Sequence, residues 1–260
     1  MPPRLYLVRH AEGEHNATVT CILVNPLCHI DPPQRNFQFR DLILTSKGQS
    51  QCATLRSTFP YHDEIDLVLS SPQRRAIQTA VLSFGPILAR NEVKYMALPL
   101  AQEVSDMGCD TGFPKDELEA LIPGLFEGSD LRFDVEKIVR GVDGVPKGWN
   151  VKTGYYAYTR EAISQRASDL RSWLFQRSED KIILVTHGAF LHFLTEDWDV
   201  DDPLSGTAYN HCEVRIFDFK ETSTAKEAHL IETKESKETR GANEKEKDEH
   251  VLEELTAIVK

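Results

Sequence analysis

Leu5-Tyr6-Leu7-Val8-Arg9-His10-Ala11-Glu12 is the stretch on which the fold turns: four apolar residues of strand type stop at an Arg-His pair, and Asn16 follows six residues after the histidine. A short apolar run bounded in this way reads as a buried strand. In open α/β sheets ligands lie just outside the carboxyl ends of such strands, where loops converge over a rigid support. An imidazole there can attack phosphorus, and a guanidinium beside it can grip two phosphate oxygens at once. Taken alone, the dipeptide is better described as a surface pair closing a strand.

Two further segments repeat the pattern. Lys181-Ile182-Ile183-Leu184-Val185-Thr186 runs into His187-Gly188-Ala189, so a second buried strand also ends in histidine. Between them, Ile65-Asp66-Leu67-Val68-Leu69-Ser70 leads into Ser71-Pro72-Gln73-Arg74-Arg75-Ala76-Ile77-Gln78-Thr79. Proline there is expected in the first turn of a helix, with Arg75 pointing back over the same crevice.

In this order the segments resemble three motifs of the histidine phosphatase superfamily, in its phosphoglycerate-mutase-like branch: Arg-His-Gly-x-x-x-x-Asn, Ser-Pro-x-x-Arg-Ala-x-Gln-Thr and Thr-His-Gly. The resemblance spans residues 4–219, and Leu44-Thr45-Ser46-Lys47-Gly48-Gln49-Ser50-Gln51 is also similar to a family segment. Ala11 departs from the motif, standing where the family has glycine. A further catalytic element, an acid after the third strand, is matched best by Glu103, with Asp106 and Asp110 as alternatives.

The resemblance implies an α/β fold, a mostly parallel sheet with helices on both faces and a helical lid insertion. It also implies a metal-independent phosphomonoester hydrolase that works through a phosphohistidine. His10 is then the nucleophile and Glu103 the proton donor, while Arg9, Arg75 and His187 neutralise the transferring phosphoryl group. Gly188 and Ala189 contribute backbone amides, and Asn16 is either a turn residue or a phosphate-side contact. No metal or cofactor is needed where arginines supply the positive charge. The chemistry suits these residue types: a neutral imidazole is not repelled by a dianionic ester, and a leaving alkoxide needs a proton. A mutase is the nearest alternative, although residues 104–112 do not resemble the added segment of mutases. A low-turnover binding or scaffold protein on the same fold is an alternative of another class. The string His10-x-Glu12-x-x-His15 lacks the helix-borne order of a zinc site, and His15, His29, His62, His192, His211, His229 and His250 read as structural or exposed.

At 260 residues, 40% of them hydrophobic, the chain is long enough for a full core plus an appendage. Its net charge of −11 argues against nucleic acid and anionic membrane as partners; the small-molecule phosphomonoester is what the resemblance implies. Five scattered cysteines and a strand that begins by Leu5 point to the cytosol by default, or to the nucleus.

Strands alternating with helices organise residues 1–219 into one catalytic domain. Prolines at 26, 32 and 33 break the stretch from Thr18 to Arg40, a helix opens near Leu44, and a long helix spans about Thr159 to Arg177. The alternation at Cys212, Val214 and Ile216 reads as a final, half-covered edge strand. Residues 104–158 form an insertion, either a plain helical cap or a substrate-choosing lid. Residues 220–260 read as a charged, disordered linker ending in an amphipathic helix, whose stripe Val251, Leu252, Leu255, Ile258 and Val259 docks on the body or binds a protein partner.

Overall fold

The computed structural model describes residues 1–16, 39–196 and 209–240 together with Ile258. The proline-broken stretch lies outside them except for its last two residues, as does the terminal stripe except for Ile258. Strand β1 (Arg4–Arg9) is followed by α1 (Ser46–Thr58), β2 (Leu67–Ser70), α2 (Arg74–Leu88) and β3 (Lys94–Ala97). The insertion then contributes α3 (Lys115–Leu121), α4 (Glu136–Arg140) and several single 3₁₀ turns. It leads to α5 (Arg160–Phe175), β4 (Lys181–Thr186), α6 (Gly188–Thr195), β5 (Val214–Phe219), β6 (Leu230–Glu232) and α7 (Lys234–Arg240).

The six strands form one sheet in the order β3-β2-β4-β1-β5-β6. The first four are mutually parallel, whereas β5 runs antiparallel to both β1 and β6. Alternation along each strand divides the core into two layers. Tyr6, Val8, Val68, Ile183 and Val185 face α2 and the insertion, whose Leu118, Ile122, Phe126, Ile138, Val142 and Trp149 complete that layer. Leu5, Leu7, Leu67, Leu69, Ile182 and Leu184 face α5 and α6, and Ile258 is buried in the same layer. No helix among the described residues is long and apolar enough to cross a membrane.

Helix starts explain the placement of the loops. Thr45 caps α1 by accepting from the Gly48 N–H at 2.9 Å, and Thr159 caps α5 by accepting from Ala162 N–H at 3.3 Å. Gly48 has no room for a side chain, because a Cβ would stand 2.2 Å from the Glu12 carbonyl. The start of α1 therefore lies directly against the loop that follows β1.

Helix α2 has no capping side chain of its own. Its first N–H, that of Arg74, donates instead to Asp41 Oδ1 at 3.0 Å, from a distant loop. Pro72 precedes the cap residue Gln73 and does not occupy the first turn as expected. A second proline, Pro86, lies inside α2, where a kink at Phe84 accommodates it.

Beyond residue 219 the expectation of a disordered linker fails for residues 220–240. Strand β6 pairs with β5, so β5 is an interior strand and β6 forms the edge. Leu230 and Ala228 are buried, Arg171 Nε donates to the Ala228 carbonyl at 2.7 Å, and Ser236 Oγ accepts from Ile216 N–H at 3.0 Å. Arg240 closes the segment with a two-pronged pair to Glu232 at 2.9 and 3.0 Å. The strand has only three residues amid lysine and glutamate, so charge masks a run whose burial depends on partners far away in sequence.

Candidate active site

Parallel register brings the two histidines together. Arg9 pairs with Thr186 across β1 and β4, and His10 N–H donates to the Thr186 carbonyl at 2.9 Å. His10 and His187 thus leave neighbouring strands side by side, with ring centroids 5.0 Å apart. Both are buried, at 2% and 0% exposure.

His10 is fixed in one tautomer. Its Nδ1 lies 2.7 Å from the Ala11 carbonyl, to which only an N–H can donate, while Arg75 Nε–H donates to its Nε2 at 3.1 Å. The proton therefore resides on Nδ1, and the Nε2 lone pair faces Arg75. Burial first, then the charges of Arg75, His187, His15 and Arg9, hold the His10 pKa well below its ordinary value. Ala11 adopts no left-handed backbone, so the missing glycine costs the motif nothing here. Its methyl packs with Leu44 and Cys52.

The other motif residues act as ties between loops. Thr79 Oγ1 accepts from Ala11 N–H at 3.0 Å, and Gln78 Oε1 accepts from Leu44 N–H at 2.9 Å. Gln51 Oε1 accepts from Glu12 N–H at 2.9 Å. At the far end of the crevice Thr186 Oγ donates to the Ala101 carbonyl at 2.7 Å, pinning the short turn that carries Glu103.

Glu103 is 3% exposed, and its Oε1 accepts from two backbone N–H groups at 3.0 Å: its neighbour Val104 and Phe190 in the first turn of α6. Burial, reinforced by the charge of Asp110 and opposed by Arg75, raises its pKa to about 7. Asp106 is exposed. Asp110 is buried and committed elsewhere: Oδ1 accepts from Arg75 Nη2 at 2.7 Å, and Oδ2 accepts from Ser105 Oγ at 2.5 Å. Of the three carboxylates, Glu103 is the one at the head of α6.

Arg75 is fully buried, with Nη1 on the Cys109 carbonyl at 2.6 Å. Its three contacts leave one N–H on each terminal nitrogen for a further acceptor. Arg9 is buried and donates through Nη1 to the Tyr209 carbonyl at 2.7 Å. Both ring nitrogens of His187 are buried with no hydrogen-bond partner, and so is Asn16 Nδ2. Asn16 also closes the turn after β1, its Oδ1 accepting from Gly13 N–H at 3.1 Å; it is a turn residue with a donor to spare. Gly188 and Ala189 head α6, where first-turn N–H groups lack intrahelical acceptors.

Sequence reading missed several members of this centre. His15 and His211 are not remote from it, since their rings lie 5.6 and 6.0 Å from that of His10. Asp41, which caps α2, and Asp110, which binds Arg75, also went unrecognised as supports. Each acts across more than thirty residues of chain, so no local spacing marks it. Among the described residues no group of three or more His, Cys, Asp or Glu side chains could hold a metal ion.

Known proteins resemble this chain over most of its length. A phosphoglycerate mutase-like protein of Arabidopsis thaliana is 25% identical over 81% of this chain and 82% of its own length. A probable phosphatase of Schizosaccharomyces pombe is 23% identical over 80% of this chain and 84% of its own. Among solved structures, the ecdysone phosphate phosphatase of Bombix mori in complex with tungstate superimposes with a TM-score of 0.53 at 14% identity, covering 96% of this chain and 99% of the other. The sequence model of the histidine phosphatase superfamily (branch 1) matches residues 5–230, and the chain belongs to that superfamily.

Proposed function

We propose that this protein is a phosphomonoester hydrolase acting on a small-molecule phosphate through a phosphohistidine at His10. The observation that carries the reading is the locked imidazole: Nδ1 is tied to the Ala11 carbonyl, and the Nε2 lone pair faces Arg75. A phosphoryl group entering there meets the unpartnered nitrogens of His187, the spare N–H groups of Arg75 and the amides heading α6.

The Nε2 lone pair forms the N–P bond as the ester P–O bond breaks, and the electron pair of that bond leaves with the alkoxide oxygen. Glu103 gives this oxygen its proton, which its pKa of about 7 keeps available near neutrality. Water then attacks phosphorus and passes a proton to Glu103, while the N–P pair returns to Nε2. The Arg75 Nε–H that rests on Nε2 shifts to a phosphoryl oxygen when phosphorus takes that lone pair.

The names of the relatives, a phosphoglycerate mutase-like protein, a probable phosphatase and an ecdysone phosphate phosphatase, support phosphate esters as the substrate class. The insertion is the lid in this reading. Its returning loop brings Lys152 Nζ within 2.8 Å of the Glu103 carbonyl and leaves Val151 and Tyr155 exposed beside it. Trp149, by contrast, is fully buried core and takes no part in choosing substrate.

Hydrolysis of p-nitrophenyl phosphate with chelator present tests the reading. Turnover that persists in chelator and vanishes in His10→Ala supports it, and equal turnover by the variant overturns it.

A further inference from the structure

A chain of hydrogen bonds runs behind the nucleophile. Met107 N–H donates to Ser105 Oγ at 3.2 Å, and Ser105 Oγ donates to Asp110 Oδ2. Asp110 Oδ1 takes Arg75 Nη2, Arg75 Nε–H reaches His10 Nε2, and His10 Nδ1–H ends on the Ala11 carbonyl. A single 3₁₀ turn, Gly108–Asp110, supplies both the Asp110 carboxylate and the Cys109 carbonyl. The guanidinium is therefore gripped along one edge while Nε stays aimed at the imidazole.

Fold stability does not explain such a pair. Taking two charges out of water costs several kcal/mol per ion, and apolar replacements are often neutral or stabilising. Arg75 and Asp110 are both fully buried. Orientation does explain it, because a guanidinium with five donors has several ways to meet a carbonyl and an imidazole, and a bound carboxylate selects one.

We propose that Asp110, held by Ser105, is a positioning residue of this centre: it fixes the Arg75 guanidinium in the orientation that aims Nε at His10, and it places an anionic charge next to Glu103. The inference rests on the phosphohydrolase reading above. The groups facing Glu103 are Asp110 and Cys109 from the 3₁₀ turn, Arg75 from α2, Arg166 from α5, and Lys152 on its own carbonyl. Asp110 is the anion that opposes Arg75 at the Glu103 carboxyl, so its charge helps Glu103 keep a proton.

Asp110→Asn in the full chain separates this role from a packing role, because the amide keeps the shape and loses the charge. On p-nitrophenyl phosphate, whose leaving group needs no acid, kcat is expected to fall about tenfold to a hundredfold with KM changed less, as Arg75 loses its fixed aim. On an alkyl phosphate the fall in rate at rising pH should begin about half a pH unit or more below its wild-type position. Wild-type kcat with an unmoved pH profile, in a protein whose His10→Ala form is inactive, overturns the role of Asp110 alone. Equal rates for wild type and His10→Ala overturn the phosphohydrolase reading instead. Should Asp110→Asn fail to fold by circular dichroism, Ser105→Ala, which leaves both charges and removes the hydroxyl that holds Oδ2, is expected to lower kcat severalfold at constant KM. Wild-type kcat in Ser105→Ala would then overturn the proposal.

Discussion

At the scale of single residues, the centre separates its titrating groups by environment. His10 and Glu103 are both buried, yet burial moves them in opposite directions, because it disfavours the charged form of each. The imidazole is held neutral and the carboxyl is held protonated up to about pH 7, which are the states that the proposed attack and acid catalysis require. Replacing His10 with alanine should cost at least about 4 kcal/mol of barrier, on the order of a thousandfold in rate, with the fold intact by circular dichroism. Glu103→Gln should slow alkyl phosphates far more than aryl phosphates and abolish the loss of alkyl-ester activity as pH rises through about 7. Stability carries the same signature. The folded pKa of Glu103 lies above its ordinary 4.5, so the native state binds the extra proton and loses stability as pH rises from 4.5 to about 7. Thermal melts should show Glu103→Gln gaining on wild type across that window and holding a constant lead above it. A constant difference from pH 4 to 8 would contradict the raised pKa.

At the scale of elements, strand ends place the chemistry and distant side chains aim it. Hydrophobic runs ending in Arg9-His10 and Thr186-His187 made the parallel pair and its histidines legible, because buried parallel strands read as continuous apolar segments. Arg75 was marked by its place at the start of a helix, whereas after β3 the family resemblance singled out Glu103 but left Asp106 and Asp110 as alternatives. Asp41 and Asp110 were not, since their partners are brought by tertiary folding and the capping and pairing leave no periodic trace. Strand β6 was hidden for a related reason, being a three-residue edge in charged surroundings. Its burial predicts that Leu230→Ala, which empties a site 3% exposed in the α5 and α6 layer, costs about 2–5 kcal/mol in chemical denaturation. Truncation after Lys220 should lower the melting temperature much further than truncation after Arg240, which removes the buried Ile258 but leaves β6 and α7 in place. Equal melting temperatures for the two truncations would mean that the sheet is complete at β5.

On the scale of the whole molecule, the proposed reaction requires a chain of net charge −11 to admit a dianion to a centre built on Arg9 and Arg75. The range of that conflict is set by salt. The Debye length is about 30 Å at 0.01 M ionic strength and about 8 Å at 0.15 M. In dilute buffer an approaching phosphomonoester therefore feels the charge of the entire molecule, whereas at physiological salt it feels chiefly the groups lining the crevice. In the proposed reaction the work of bringing a dianion up to a net-negative body enters binding and not the chemical step, since the phosphoryl group is already among the arginines when the N–P bond forms. Raising sodium chloride from 0.01 to 0.15 M should increase kcat/KM for a dianionic ester about two- to threefold and leave kcat unchanged. A neutral competitor for the same crevice should show no such dependence. A kcat/KM that falls steadily with salt would mean that the field of Arg9 and Arg75 reaches past the rim and draws substrate in despite the acidic surface.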